Sequence, residues 1–515
     1  MKKLNNLGYL FLLSVILTLW GCDKSFVTKN QNPAAINSLD PGLLFTNAEF
    51  SVYPGSYEGE QTIVQQSLNA YNLGATAGFN FNTNNDNYNN PRWNSEYPNS
   101  VKLIEQIIFL IKSDPTHSNL YNMTRIWRAY NYMTLVDTYG DVPYSQAGKA
   151  FTSSIFKPAY DKSVDIYADI YNELHTATAA LSTSNEYVGA DLFFGGSSGS
   201  LATQITEWKR LGYSLMLRLG MRYVKYDASK AKSIVQEAFA GGVMQSVTDN
   251  VYLGFNATYN NQLNNGPRTV NPYYYYLAEP FVTQLKTTKD PRLKYISGMY
   301  ADPNTIATTI PDTLTADQFG FPVGYDQTTI KAKSDYRGGK GAGQNYSQLN
   351  YNVFGSASAP VFFVTYAQTA LLLAEATFRG YITGGSTASQ YYNAGVQASM
   401  DEYQKYPNAT VIPLAAENSY LAQVGVAYAA GNELAQINTQ YWIASFGNGA
   451  EAFANFRRTG FPALSPNLYN NNLSGGFARR FAYPLNESSV NTANYQAAVA
   501  NMGADNLTTR VFWDK

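Results

Sequence analysis

Four stretches of the chain carry apolar residues at spacings of three and four, the repeat of one face of an α-helix. They are Met123, Trp127, Tyr130 and Thr134; Ile166, Ile170, Leu174, Ala177 and Leu181; Tyr213, Leu217, Met221 and Val224; and Ala367, Leu371, Ala374 and Phe378. Long alternating strand patterns are scarce. The pattern predicts a mostly α-helical fold, built from tetratricopeptide-like helix pairs, although no clean 34-residue period accompanies it.

The segments between these helical stretches have a different composition. Residues 79–98 are packed with Asn, and residues 241–276 and 298–360 are rich in Gly, Asn, Pro and Tyr. Their pattern predicts long irregular loops with little β-structure. Loops of this length are often functional, but Asn and Gly also serve as ordinary turn residues, so packed connections are an equally good interpretation.

The first 22 residues follow the pattern of a secreted lipoprotein. Met1, Lys2 and Lys3 precede an apolar run over residues 7–20, and the only cysteine of the chain, Cys22, follows Gly21. This predicts a signal peptide over residues 1–21, lipidation at Cys22, and a polar tether over residues 22–42. Residues 43–515 are then expected to form a single folded domain. An ordinary signal peptide with a chance cysteine is the alternative.

Composition narrows the possible functions. The chain has 515 residues, of which only 14% are charged, and its net charge is −1. It therefore lacks the basic surface that nucleic-acid binding requires. Two histidines and one cysteine nearly exclude a multi-histidine or cysteine metal site, whereas a calcium site is left open.

Sequence motifs of catalysis are also absent. His117 and His175 have no motif partner and are interpreted as surface or packing residues, so no catalytic residue is predicted. The glycine-rich run at 337–343 lacks the order of a phosphate-binding loop. Paired carboxylates for glycoside hydrolysis remain possible in a chain with 37 acidic residues.

Aromatic and amide side chains in the loops are the most informative chemical feature. A flat ring stacks on the apolar face of a sugar, and amide groups bind the hydroxyl rim without any charge. The candidate ligand-binding residues are Tyr88, Trp93, Tyr273, Tyr274, Tyr275, Tyr276 and Tyr325. Core packing is the favoured alternative for Trp93, and at least half of the run from Tyr273 is expected to point inward. Tyr88 and Tyr325, flanked by Asn and Gly, are expected to be exposed.

A series of motifs spread over the chain resembles those of the SusD/RagB-type (SusD-like) outer-membrane lipoproteins of Bacteroidetes. Besides the start at Cys22, these motifs are LVDTYGDVPY at 135–144, YAQ at 366–368, LAEA at 373–376, RG at 379–380, YNAGVQAS at 392–399, EAF at 451–453, RRTGFP at 457–462, RRFAYP at 479–484 and TRVFWD at 509–514. Their order and number make the resemblance specific.

The resemblance implies a mostly α, tetratricopeptide-like fold and a non-enzymatic role. It implies a lipid-anchored protein of the outer membrane, facing the cell exterior, that binds a glycan or peptide nutrient and delivers it to a SusC-like TonB-dependent transporter. The motifs themselves are expected to belong to the scaffold, so they assign no ligand contact, and no cofactor is implied. A surface glycoside hydrolase and a helical-repeat scaffold without a ligand are the alternatives.

Overall fold

The computed structural model describes residues 40–71, 84–196, 199–269, 271–467, 473 and 475–515. Helices make up 53% of the structure and strands are few, so the prediction of a mostly α fold is confirmed. The predicted signal peptide, Cys22 and nearly all of the tether lie outside the described residues. Among the helices that are described, none is both long and apolar enough to cross a membrane.

The helices are α1 Pro41–Phe50, α2 Glu60–Ile63, α3 Asp86–Ser95, α4 Lys102–Ile111, α5 Ser118–Tyr139, α6 Ala150–Ser153, α7 Ser163–Ala180, α8 Leu201–Arg222, α9 Ala228–Gly241, α10 Gln262–Thr269, α11 Glu279–Thr287, α12 Leu293–Ile296, α13 Tyr366–Phe378, α14 Ala388–Asp401, α15 Leu414–Leu421, α16 Glu433–Ala444, α17 Gly449–Thr459, α18 Glu487–Val490 and α19 Thr492–Met502. Helix α1 thus includes the last two residues of the predicted tether. The four predicted helical stretches lie on α5, α7, α8 and α13, except that Leu181 and Val224 fall just beyond the ends of α7 and α8.

The strands are short and pair two by two in antiparallel fashion. They are β1 Ser67–Asn69, β2 Val142–Pro143, β3 Tyr160–Asp161, β4 Val251–Leu253, β5 Tyr275–Leu277, β6 Ser297–Gly298, β7 Gly339–Lys340, β8 Gly343–Gln344, β9 Gln348–Leu349 and β10 Val361–Val364. The pairs are β1–β5, β2–β3, β4–β10, β6–β9 and β7–β8. These ladders fasten the long connections to the helical body.

The helices pack in pairs along their apolar faces. Helix α7 packs against α5 and α8, α8 against α9, and α13 against α14 and α16. Glycine allows the closest approach: a Cβ at Gly395 of α14 would lie 2.7 Å from Cγ of Leu371 on α13. At Gly212 of α8, an added Cβ would likewise meet the side chain of Thr178 on α7. Small residues at these crossings therefore set the helix spacing.

Many charged residues of the sequence motifs are buried together inside the scaffold. Arg222 of α8 binds Asp137 of α5 at 3.1 Å and Glu451 of α17 at 2.7 Å. The indole N–H of Trp513, near the end of the chain, donates to the same Asp137 at 2.9 Å. Buried charges are tolerated only when they are paired in this way. The motifs thus tie helices distant in sequence to the C-terminal segment.

One sequence prediction needs correction. The Asn-rich stretch was expected to be a loop, but residues 86–95 form helix α3 and residues 96–101 continue it as a π-helix. Asn85 caps this helix, because its side-chain oxygen accepts a hydrogen bond from the Asn87 N–H at 2.9 Å. Asn is a good capping residue, so the same composition that suggested turns instead marks a helix start.

Candidate functional site

The β1–β5 ladder brings two distant tyrosine-bearing segments together. Asn69 lies opposite Tyr275, and Leu68 lies opposite Tyr276. Beyond the ladder, the Ala70 N–H donates to the Tyr274 carbonyl at 2.6 Å. Successive residues of a strand face opposite sides. Tyr276 is accordingly buried on one side, while Tyr275 is half-buried on the other.

Three rings form the tyrosine cluster, which consists of Tyr71, Tyr273 and Tyr274. The rings of Tyr71 and Tyr274 stack with centroids 4.4 Å apart and planes inclined by 18°. The ring of Tyr273 meets that of Tyr274 edge-on, at 4.6 Å and 72°. Each ring is half-buried and so keeps part of its surface open. The hydrogen bond with Tyr273, reinforced by burial, raises the pKa of Tyr274 to about 12, so its hydroxyl stays neutral.

A cavity of about 490 Å³ is lined by Tyr275, the residue that follows Tyr274 of the cluster. We call it the aromatic cavity. Its rings are Phe50, Tyr53, Tyr57, Phe255, Tyr275 and Phe363, and its polar groups include Ser56, Glu58, Asn99 and Gln262. A mainly aromatic wall with a few amide and hydroxyl groups is suited to a sugar or another uncharged polar ligand.

Among the described residues that line the aromatic cavity, Glu58 is the only acidic one. Burial raises the pKa of its carboxyl group, while hydrogen bonds from the Asn69 amide and the Tyr275 hydroxyl lower it. These bonds hold the carboxyl group in place as an acceptor. Glycoside hydrolysis generally requires two carboxyl groups that flank the scissile bond. The described lining of this cavity supplies one such group.

The other predicted ligand-binding residues lie outside the tyrosine cluster and the aromatic cavity. Tyr276 is buried in a small apolar cluster with Leu68 and Phe321, and its hydroxyl accepts from the Gln344 N–H at 2.8 Å. Tyr325 is half-buried against the same cluster and lines a separate groove of about 580 Å³. Tyr325 therefore lies near the run from Tyr273 but opens onto a different surface.

Trp93 and Tyr88 both lie on helix α3. Trp93 is 7% exposed, and its ring contacts the rings of Tyr97, Tyr139, Tyr160 and Tyr483. It thus lies in the main core, as the alternative interpretation held. Tyr88 is half-buried and packs against that core rather than standing free on a loop. Tyr325 is also half-buried rather than exposed.

Sequence reasoning missed Tyr71 and Glu58. Tyr71 lies more than 200 positions from its stacking partner Tyr274 in the sequence, and only the register of the β1–β5 ladder unites them. Glu58 stands between Tyr57 and Gly59 with no recognisable motif. Within the part of the chain that is described, no group of acidic, histidine or cysteine residues could hold a metal ion.

The chain thus combines a helical scaffold with an aromatic surface carried by its connecting segments. The chain belongs to the SusD-like family, because the family model described as "Starch-binding associating with outer membrane" matches residues 33–484. The family is thus associated with the outer membrane. Comparison with curated protein sequences finds no match.

Solved structures agree over nearly the whole chain. A chitin-binding protein is 28% identical with a TM-score of 0.78, covering 92% of this chain and 100% of its own. A SusD-like protein, "Bacteroidetes AC2a", is 26% identical with a TM-score of 0.79, covering 93% and 100%. A chitin-binding SusD homologue from Flavobacterium johnsoniae, 23% identical with a TM-score of 0.72 and covering 92% and 97%, shows the same fold.

Proposed function

We propose that this protein captures an oligosaccharide at the cell surface and passes it to a SusC-like TonB-dependent transporter. The observation that carries the proposal is the stacked pair of Tyr71 and Tyr274 beside the aromatic cavity. Rings with open faces and neutral hydroxyl groups bind sugars through stacking and hydrogen bonds. Membership of a family associated with the outer membrane supports the location.

Chitin-type oligosaccharides are the first ligands to test. Two structurally similar proteins are described as chitin-binding. The N-acetyl groups of chitin combine a small apolar methyl with an amide, which matches a wall of rings, hydroxyls and amides. A peptide nutrient offers similar groups and is the second candidate, so the same titration is run with an oligopeptide of equal size.

Tyr274→Ala is expected to raise the Kd for a chito-oligosaccharide by about 10-fold or more, because it removes the ring at the centre of the tyrosine cluster. Isothermal titration calorimetry on Tyr274→Ala and Tyr71→Ala measures the effect. Tyr226→Ala is the matched control, since Tyr226 is partly exposed and contacts Phe512 instead. Unchanged affinity in both cluster variants, with an unchanged Tm, would place the ligand elsewhere.

The rival functions give different results in the same samples. A glycoside hydrolase would release reducing ends when the purified protein is incubated with polysaccharides, and we expect none. A scaffold protein without a ligand would show no binding in glycan and peptide screens but would still bind the transporter. Binding to glycans without turnover is the outcome that distinguishes the proposed function from both.

We also propose that the protein is anchored to the outer membrane through lipid on Cys22. The proposal rests on the cysteine that follows an apolar run near the start of the chain. Cys22→Ala is expected to move the protein from the outer-membrane fraction to the soluble fraction, measured by immunoblotting in cells that lack the transporter. Several acyl chains are needed for stable anchoring, because one chain binds only marginally. Membrane retention of the variant after carbonate washing would contradict the anchor.

A further inference from the structure

A second groove, separate from the tyrosine cluster, concentrates charge on the surface of this weakly charged chain. It has a volume of about 350 Å³ and follows helix α11. Five of its thirteen lining residues are charged: Glu279, Lys286, Lys333, Asp335 and Arg337. Charged residues make up only 14% of the whole chain. We call it the cationic groove.

Two of its cations are held by one aromatic ring. The Arg337 guanidinium carbon lies 3.3 Å from the centre of the Phe319 ring, and the Lys286 ammonium lies 3.6 Å from it. Both cationic groups therefore contact the same ring. The ring thereby orients both cations by cation–π attraction without neutralising either.

Lys286 is fixed further by the backbone. Its ammonium donates to the carbonyls of Ala316 at 2.8 Å and Gln318 at 2.9 Å. Burial, with a further contribution from Arg337, lowers the pKa of Lys286, and Asp317 offsets this only in part. The two carbonyl oxygens therefore hold the ammonium in one position.

The acidic residues of the groove do not pair with these two cations. Asp335 forms an ion pair with Lys333. Glu279 is exposed at the edge of the groove. Among the ion pairs formed by the described residues, none involves Lys286 or Arg337. The guanidinium also keeps its planar set of N–H donors, which match a carboxylate in geometry.

A groove with fewer charged residues lies next to the cationic one. Glu279 lines both, and the second, of about 580 Å³, contains Tyr325, Gln65 and Ser465. Tyr325 offers a half-buried ring there, and the Gln65 amide donates to the Ser465 carbonyl at 2.6 Å. The two grooves together present a portion that bears the Tyr325 ring, the shared Glu279 carboxyl group and a pair of cations.

We propose that these adjoining grooves form a second binding site for an acidic oligosaccharide. The carboxylate of a uronic acid unit pairs with the exposed Arg337 guanidinium, the nearby Lys286 ammonium adds positive charge, and a neighbouring sugar lies against Tyr325. The ring-bearing groove favours a saccharide over an acidic peptide, because sugar rings stack on an aromatic face. This site shares no residue with the tyrosine cluster, so an experiment can contradict either proposal without contradicting the other.

Calorimetric titration of the full chain with tri-galacturonate and with its methyl ester tests the proposal. The acid is expected to bind about 10-fold or more tightly than the ester, which keeps the sugar but lacks the charge. Lys286→Gln combined with Arg337→Gln should abolish this preference without changing the Tm. Lys331→Gln, at an exposed lysine outside the lining, removes a charge as a matched control. Arg337→Lys should retain part of the preference.

Further outcomes separate this site from the proposed oligosaccharide site. Raising salt from about 50 mM to about 500 mM should weaken the binding of tri-galacturonate but not that of a chito-oligosaccharide. Tyr274→Ala should leave the binding of tri-galacturonate unchanged.

Equal affinity for acid and ester, or an unchanged preference in the double variant, would overturn the proposal. Tighter binding of tri-glutamate than of tri-galacturonate would overturn the assignment to a saccharide. If the double variant does not fold, Arg337→Gln alone, at an exposed side chain, decides the question.

Discussion

Leu371→Asp is expected to remove more than about 4 kcal/mol from the free energy of unfolding and to leave little folded protein. Leu371 is fully buried at the crossing of α13 and α14, where Gly395 allows the closest approach. The substitution removes apolar contacts and places a carboxylate at a fully buried position. Thermal and urea unfolding followed by circular dichroism measure the effect.

Leu314→Asp is the matched control for this substitution. Leu314 is 67% exposed, so the same change of side chain leaves the new carboxylate in water. Its effect on the free energy of unfolding should stay within about 0.5 kcal/mol. Similar stability of the two variants would show that α13 does not pack as described, and that the helical stripe through Leu371 is not a core face.

Glu375→Gln is expected to destabilise the protein by about 3–5 kcal/mol, because it leaves a buried guanidinium without its countercharge. Both Glu375 oxygens accept hydrogen bonds from Arg458 at 2.7 Å, and Arg379 adds a third at 2.8 Å. Glu375 and Arg458 are both buried. Urea unfolding at neutral pH measures the loss. A decrease in the free energy of unfolding of less than about 1 kcal/mol would mean that this ion pair stabilises the protein no more than a surface ion pair does.

The same pair predicts a pH dependence. Burial alone would raise the pKa of Glu375, but Arg458 and Arg379 outweigh it and hold the pKa at about 2, against an ordinary value of 4.5. Because the pKa is lower in the folded state, its stabilisation is fully present above about pH 4.5 and is lost as the pH falls towards 2. Glu375→Gln should flatten this part of the stability profile. Glu173→Gln, which breaks a partly exposed pair with Arg125, should leave it unchanged.

The helical stretches could be read from the sequence because their information is local. Met123, Trp127 and Tyr130 recur at the spacing of one helix face, and any folded helix must bury such a face. The same local reasoning indicated that Trp93 packs in the core. It went wrong at residues 86–95, where Asn composition was interpreted as turns although Asn85 begins a helix by capping it.

The family resemblance added what periodicity could not. The motifs identified the scaffold, and the structure explains why they identify no ligand contact. The motif residues Asp137 and Glu451 both pair with the buried Arg222, and the motif residues Glu375 and Arg458 pair with each other. Motif residues of this kind are constrained by the pairing of buried charges rather than by a ligand, so they predict the fold and leave the binding surface undetermined.

The sequence by itself determined the helical class, the family and the loop tyrosines as candidates, because each depends on spacing or composition along the chain. Only the tertiary structure decided which tyrosines act together. The β1–β5 register places Tyr71 against Tyr274, buries Tyr276, and turns Tyr275 toward Glu58. Contacts between residues about 200 positions apart depend on the packing of the intervening chain, and no local pattern encodes that packing.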